Sequence, residues 1–234
     1  MLGYSFTATA HAKLGSYPVY PFQVRYEVYS SGYSIGEAVM ALTEVRKNSY
    51  KISFKVSTKG LASLLGFSQV DEQVSCEIHG GTVRPIRYER LVKTPQENKS
   101  LELYFDWPTN KIRIRDNQRQ SLLPLTIGVM DPLSLNLQLM LDLQKGSICP
   151  ESEYRLVEKD QLKTYQIRKD GEDILASPIG RLRAVRIRRI QSDPGKARIT
   201  TFWFSQDLHY LPVRVQQEKD FKELMRMEIR KVEL

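Results

Sequence analysis

From Phe22 the chain alternates apolar and polar residues with a period of two: Phe22, Val24, Tyr26 and Val28 against Gln23, Arg25 and Glu27. Such alternation describes a half-buried strand, because successive side chains of an extended chain point to opposite faces. The pattern recurs along most of the sequence. Ser34 to Val45 reads as a second strand. Tyr50, Ile52, Phe54 and Val56, set against Lys51, Ser53, Lys55 and Ser57, make the clearest one. Val70 to Ile78 and Thr82 to Val92 follow, joined by the two-residue hairpin signal Gly80-Gly81. Pro85 inside the second of these requires an edge or a bulge. The parity change from Val83 to Ile86 and Tyr88 favours the bulge. Further strands are expected at Leu101 to Trp107, around Ile112 and Ile114, at Tyr154 to Val157, Leu162 to Ile167, Arg181 to Ile190, Ile199 to Ser205, Leu211 to Val213 and Phe221 to Val232. In the last of these Phe221, Met225, Met227 and Ile229 share a face. Asp170-Gly171 and Asp193-Pro194-Gly195 read as turns, and a parity switch between Ala184 and Val185 reads as a bulge.

One stretch departs from this scheme. In Asp131 to Gly146, leucine occupies every odd position from 133 to 143. With period two this is an amphipathic strand. At 100° per residue, Ser134, Gln138, Asp142 and Lys145 fall in one polar strip and leucines cover most of the rest. Three features favour the helix. Asp131 is a good N-cap and Pro132 suits the first turn. Leu, Met and Gln form helices well, and β-branched residues are absent. Lys145-Gly146 makes a sound C-terminus. A helix apolar on most of its circumference must be covered on more than one side.

Roughly ten strands joined by short turns predict an antiparallel meander, which at that length curls or closes. The fold class expected is mainly β: a curved antiparallel sheet or unclosed β-barrel with one main helix, about 131–145, in or across its concave face. Residues 1–21, with Gly15, Pro18 and Pro21, are expected to be loosely ordered, and 22–234 to form a single domain. Leu61 to Phe67 reads as a short apolar insert.

Composition narrows function more than it defines it. The net charge is +8 with a pI near 9.4. The basic residues are interleaved along strands, as in Arg181 to Arg189, and read as a solvated face. Peripheral contact with an anionic membrane surface is the sharper reading. Tyrosines such as Tyr88, among Arg87 and Arg90, fall at strand positions where packing explains them, so no nucleic-acid partner is expected. His11, His79 and His209 stand apart, and no metal spacing, serine elbow or phosphate loop occurs. The expectation is a non-catalytic protein with no cofactor and no metal. Cys76 and Cys149 leave a disulfide and two buried thiols equally open. Thr9-Ala10-His11-Ala12 resembles a signal-peptidase site with no basic segment ahead of it. It is read as the remnant of a signal peptide, hence a periplasmic protein; with Met1 as the true start the protein is cytoplasmic.

Several short motifs occur in order: Tyr26-x-Val28, then Gly32, Gly36-Glu37-Ala38, Thr58-x-Gly60-Leu61, Pro85 after Gly80-Gly81, Asp131-Pro132-Leu133-Ser134 and Tyr210-Leu211-Pro212-Val213. From about Phe22 to the C-terminus this resembles the bacterial family called domain of unknown function 3108. The resemblance implies an exported, periplasmic protein with a fold similar to lipoprotein carriers of the LolA/LolB type. Those are unclosed barrels with helices in the concave face over an apolar cavity. The family supplies no catalytic residues to carry over. The function expected is binding of a lipid, acyl chain or lipoprotein anchor in a pocket that includes Phe54, Leu64, Phe67, Trp107, Leu133, Leu137, Met140, Leu141 and Trp203. The alternative is a cell-envelope adaptor with a filled core, binding another protein at an edge strand.

Overall fold

The computed structural model describes residues 19–59, 68–148, 151–191, 198–220 and 222–234. They form a single sheet of fifteen strands, more than the sequence pattern predicts. The first eight are β1 (Phe22–Ser30), β2 (Tyr33–Arg46), β3 (Ser49–Thr58), β4 (Gln69–His79), β5 (Thr82–Lys93), β6 (Asn98–Asp106), β7 (Lys111–Asp116) and β8 (Arg119–Pro124). The short β9 (Val129–Met130) leads into helix α1 (Pro132–Lys145). After it come β10 (Glu151–Glu158), β11 (Gln161–Ser177), β12 (Gly180–Gln191), β13 (Arg198–Ser205), β14 (Leu211–Lys219) and β15 (Lys222–Glu233).

The spatial order is β8-β7-β6-β5-β4-β3-β2-β1-β15-β14-β13-β12-β11-β10-β9. Two runs of neighbouring strands thus meet where β1 pairs with β15, with Val24 opposite Val232. All pairs are antiparallel except β9 with β10. The sheet stays unclosed, with β8 at one edge and β9 at the other. A sheet of so many strands must curl, because each strand is twisted relative to the last.

The local signals differ in how they map onto this sheet. Gly80 and Gly81 both have positive φ, 58° and 75°, as a type I′ hairpin turn requires. The Pro85 bulge is present: Ser75 pairs with Arg87 but Cys76 with Pro85. Proline is tolerated there because β6 pairs with β5 only from Arg87 onward, and the Pro85 carbonyl instead accepts the Trp107 indole N–H at 2.9 Å. Two expectations are corrected. Asp170-Gly171 is not a turn; it is a bulge inside the long β11, where the register with β12 shifts between Lys169 and Glu172. Nor does β12 bulge between Ala184 and Val185. It pairs regularly with β13, and both residues are buried although they point to opposite faces. The insert from Leu61 to Phe67, the Thr9–Ala12 pattern and the Asp193–Gly195 turn lie outside the described residues.

Helix α1 is the predicted one, with the predicted ends. The Asp131 Oδ1 accepts from the backbone N–H of Leu133 and Ser134 at 2.9 and 3.0 Å, and Gly146 closes the helix in the left-handed conformation. Nine of its fourteen residues are buried and none is exposed. It packs against β3, β4, β5 and β10. Even the polar strip faces protein. The Gln138 Oε1 accepts from the Val83 backbone N–H at 2.8 Å, its amide donates to Asp142 at 2.9 Å, and the Tyr154 hydroxyl donates to Asp142 at 2.8 Å. Lys145 donates to the Gly81 carbonyl.

These contacts yield two predictions. A Cβ on Gly81 would collide with the Lys145 side chain, and both glycines lie in the left-handed region. Gly80→Val with Gly81→Val should cost about 1 kcal/mol or more per residue, read as a lowered denaturant midpoint. Leu137 is 2% exposed. Leu137→Ala should lower stability by about 2–5 kcal/mol, and Leu137→Asp should abolish cooperative unfolding in calorimetry, because it buries an unpaired charge.

Candidate functional site

The strand registers stack inward-facing side chains into rows across the sheet. One row runs Val24–Met40–Phe54–Glu72–Arg90 over β1 to β5. The next runs Tyr26–Ala38–Val56–Val70. From the other half come Ile187–Phe202–Val215–Met227 and, beside it, Arg189–Thr200–Gln217–Met225. These rows face one another across the concave side. The N-terminal turn of α1, with Pro132, Leu133 and Asn136, forms the floor between them. The space left is a part-open cavity of about 260 Å³. Its walls are mostly apolar: Met40, Phe54, Val56, Phe202, Met225 and Met227.

Three charged residues border it. The Arg90 Nε lies 3.1 Å from Glu72 Oε1, and the Tyr88 hydroxyl also bonds Glu72. Burial raises the Glu72 carboxyl above its ordinary range, against the pull of Arg90. Arg189 is half-buried and held by ring faces, 5.1 Å from the Tyr165 centroid and 5.8 Å from that of Phe202. It makes one long hydrogen bond, to Thr200 Oγ1 at 3.4 Å.

Of the nine residues expected in a pocket, Phe54 and Leu133 line this cavity. Leu137, Met140 and Leu141 lie further along the helix. There they share with Phe22 and Leu211 a gap of about 10 Å³, no more than about one water could fill. Trp107 lies at the end of β6, half-buried, its ring under Arg84. Trp203 does not line the cavity, because it alternates with Phe202 and Phe204 and so points to the convex face. There its indole N–H donates to Asp173 at 2.7 Å beneath the Arg214 guanidinium. Leu64 and Phe67 lie outside the described residues. The residues missed are Glu72, Arg90, Arg189 and the methionines of β15. A signal existed for Arg189. Counted from Val185 and Ile187, it falls in phase with the apolar face, whereas the run Arg181 to Arg189 reads as solvated throughout.

A larger hollow, about 630 Å³, lies on the convex face along Lys51, Ser53, Lys55, Asp71 and Gln73. Lys55 and Asp71 pair across it at 3.2 Å, and its walls mix charged side chains with Leu91 and Leu101.

A curved, unclosed sheet wound around one buried helix, with a cavity at the helix's N-terminal end, defines a β-barrel-like protein. The chain belongs to the family described as "Protein of unknown function (DUF3108)", whose model matches residues 25–230. Among solved structures it is similar to a "Beta-barrel-like Protein of Domain of Unknown Function DUF1849" from Brucella abortus. The TM-score is 0.59 at 12% identity, over 91% of this chain and 97% of that one. At such identity the likeness concerns the fold alone. No curated protein matches the chain.

Cys76 lies on the inner face of β4, opposite Tyr50 and Pro85, as a buried free thiol. Cys149 lies outside the described residues. Burial, with the nearby Asp131 and Glu77 carboxylates, pushes the Cys76 thiol up to about 12. The thiolate is the reacting species. Cys76 should therefore resist alkylation in the native protein at pH 8 and react promptly in denaturant, as followed by mass spectrometry of its peptide. Prompt native labelling would contradict this packing.

Proposed function

We propose that this protein binds a hydrophobic chain in the cavity at the N-terminal end of α1 and acts as a carrier or sensor of that ligand. The observation that supports this is the cavity itself. Cores fill their interiors to near-crystalline density, so an apolar space of about 260 Å³ is unusual for a side-chain-filled core. Ligand sites run from about 300 to 1,000 Å³. This one lies just below that range. It suits one acyl chain of medium length better than a lipoprotein anchor with several chains. Methionine on three wall positions, Met40, Met225 and Met227, suits a flexible guest, since thioether side chains adapt to varied shapes. The proposal places the protein in the periplasm, on the strength of the Thr9–Ala12 pattern, and gives it a binding rather than a catalytic role.

A second reading is an envelope adaptor. Strand β8 forms an edge of the sheet, and its Leu122 is 61% exposed. Unpaired edge groups beside an exposed leucine can accept a strand from another protein.

The test pairs a fluorescent fatty-acid probe with thermal unfolding. The wild type should bind the probe. Met225→Trp, at a half-buried wall position, should fill the cavity and remove most probe binding, while stability changes by no more than about 1–3 kcal/mol. A folded wild type that binds no probe of any chain length would leave the adaptor as the better account.

A further inference from the structure

The polar end of the cavity carries information that its apolar walls do not. Two guanidinium groups and one carboxylate border it. Arg90 is exposed, and its charge is answered by Glu72 at 3.1 Å. Glu72 is further engaged by the Tyr88 hydroxyl. Asp131, the other buried carboxylate nearby, spends its oxygens on the Leu133 and Ser134 backbone N–H and on the Ser134 hydroxyl at 2.5 Å. That leaves Arg189. No carboxylate of the described residues comes within ion-pair distance of its guanidinium, in contrast to Arg186 and Arg188 on the same strand and Arg214 on β14; Glu158 and Glu72 act on it only from longer range. Among the described residues its only hydrogen bond is the long one to Thr200. The Tyr165 and Phe202 rings hold it in place without using its N–H donors. A partly desolvated cation with free donors is costly unless something pairs with it. A planar guanidinium offers two parallel N–H groups that match a carboxylate or phosphate.

We propose that the guest of this cavity is a single-chain amphiphile whose anionic head, a carboxylate or a phosphate, docks on Arg189. The tail then lies along Phe202, Val215, Met225 and Met227 toward Leu133. This rests on the reading of the cavity as a hydrophobic-ligand site and adds its polarity. The row Arg189–Thr200–Gln217–Met225 places charged, hydroxyl, amide and apolar groups at one level of the sheet. The head would therefore meet further donors in the Thr200 hydroxyl and the Gln217 amide, both of which border the cavity.

The experiment measures displacement of a bound fluorescent probe by decanoate, decyl phosphate and decanol, which share one tail and differ in the head. The wild type should prefer one or both anions over decanol by about tenfold or more, the size of a hydrogen bond to a charged group. Whichever anion wins identifies the source of the head. Arg189→Met should reduce that preference to near unity while decanol binds as before. Thermal unfolding establishes that the variant is folded; if it is not, Arg189→Gln, shorter and neutral but still polar, is read the same way. Equal affinity of the wild type for all three would overturn the head-group assignment and leave the hydrophobic site standing. So would a variant that loses decanol and decanoate alike, which would mark Arg189 as structural. A folded wild type that binds none of the three would overturn both readings.

Discussion

A helix whose polar residues fill only one narrow strip cannot lie on a surface, and the architecture follows from that constraint. Leucines and Met140 occupy most of the circumference of α1, and each would forgo roughly 2 kcal/mol of burial if left in water. One flat sheet can cover only one side of a helix. Here β3, β4 and β5 cover one side and β10 another, while Phe22 and Leu211 approach Leu137 and Leu141. The sheet has to curl around the helix for all of these to meet it. The helix also brings polar groups into the interior, and they need partners there. Gln138 and Lys145 find them at the β4–β5 hairpin, and Asp142 finds the Tyr154 hydroxyl. The hairpin glycines therefore do two things. Both allow the turn, and Gly81 leaves room for the lysine.

The cavity follows from a mismatch of lengths. A helix of fourteen residues spans about 21 Å, at about 1.5 Å per residue. A strand of fourteen residues, such as β2, spans about 46 Å at about 3.3 Å per residue. The strands that the helix packs on, β3, β4, β5 and β10, have eight to twelve residues and are likewise longer than the helix. At the level of Leu137 the two are matched and the core is filled. Beyond Pro132 the helix has ended and the strands continue, so the facing rows of Phe54 and Phe202 enclose a space.

The convex face is ordered by a different principle. Its arginines are answered by carboxylates on neighbouring strands: Arg186 by Asp173, Arg188 by Asp170 and Arg214 by Glu228. Such exposed pairs contribute little each. They do neutralise much of the surface locally and cover the outward-facing Trp203. The net positive charge of the chain is thus not one basic patch. Arg189, on the same strand as Arg186 and Arg188, points the other way, into the cavity.

Much of this was legible in the sequence, because periodicity and caps are local properties. Period-two alternation located most of the strands, Gly80-Gly81 located a hairpin, and Asp131-Pro132 with Lys145-Gly146 bounded the helix, since each feature depends on a few adjacent residues. The ordered motifs from Tyr26 to Val213 likewise indicated the family. The weaker strands β8 and β9 were not legible, because pairing partners rather than composition make them strands. Asp170-Gly171 reads as a turn locally and becomes a bulge only because β12 pairs on both sides of it. The candidate site was hardest to read. Phe54 and Leu133 border the cavity, but Trp203 does not, and Arg189 was hidden in a basic run. Whether a side chain faces inward depends on the parity of its strand, and a single bulge inverts that parity. Where the helix stops short of the strands depends on how the two pack. Only the tertiary structure decides these two things, because both arise from contacts between residues far apart in the chain.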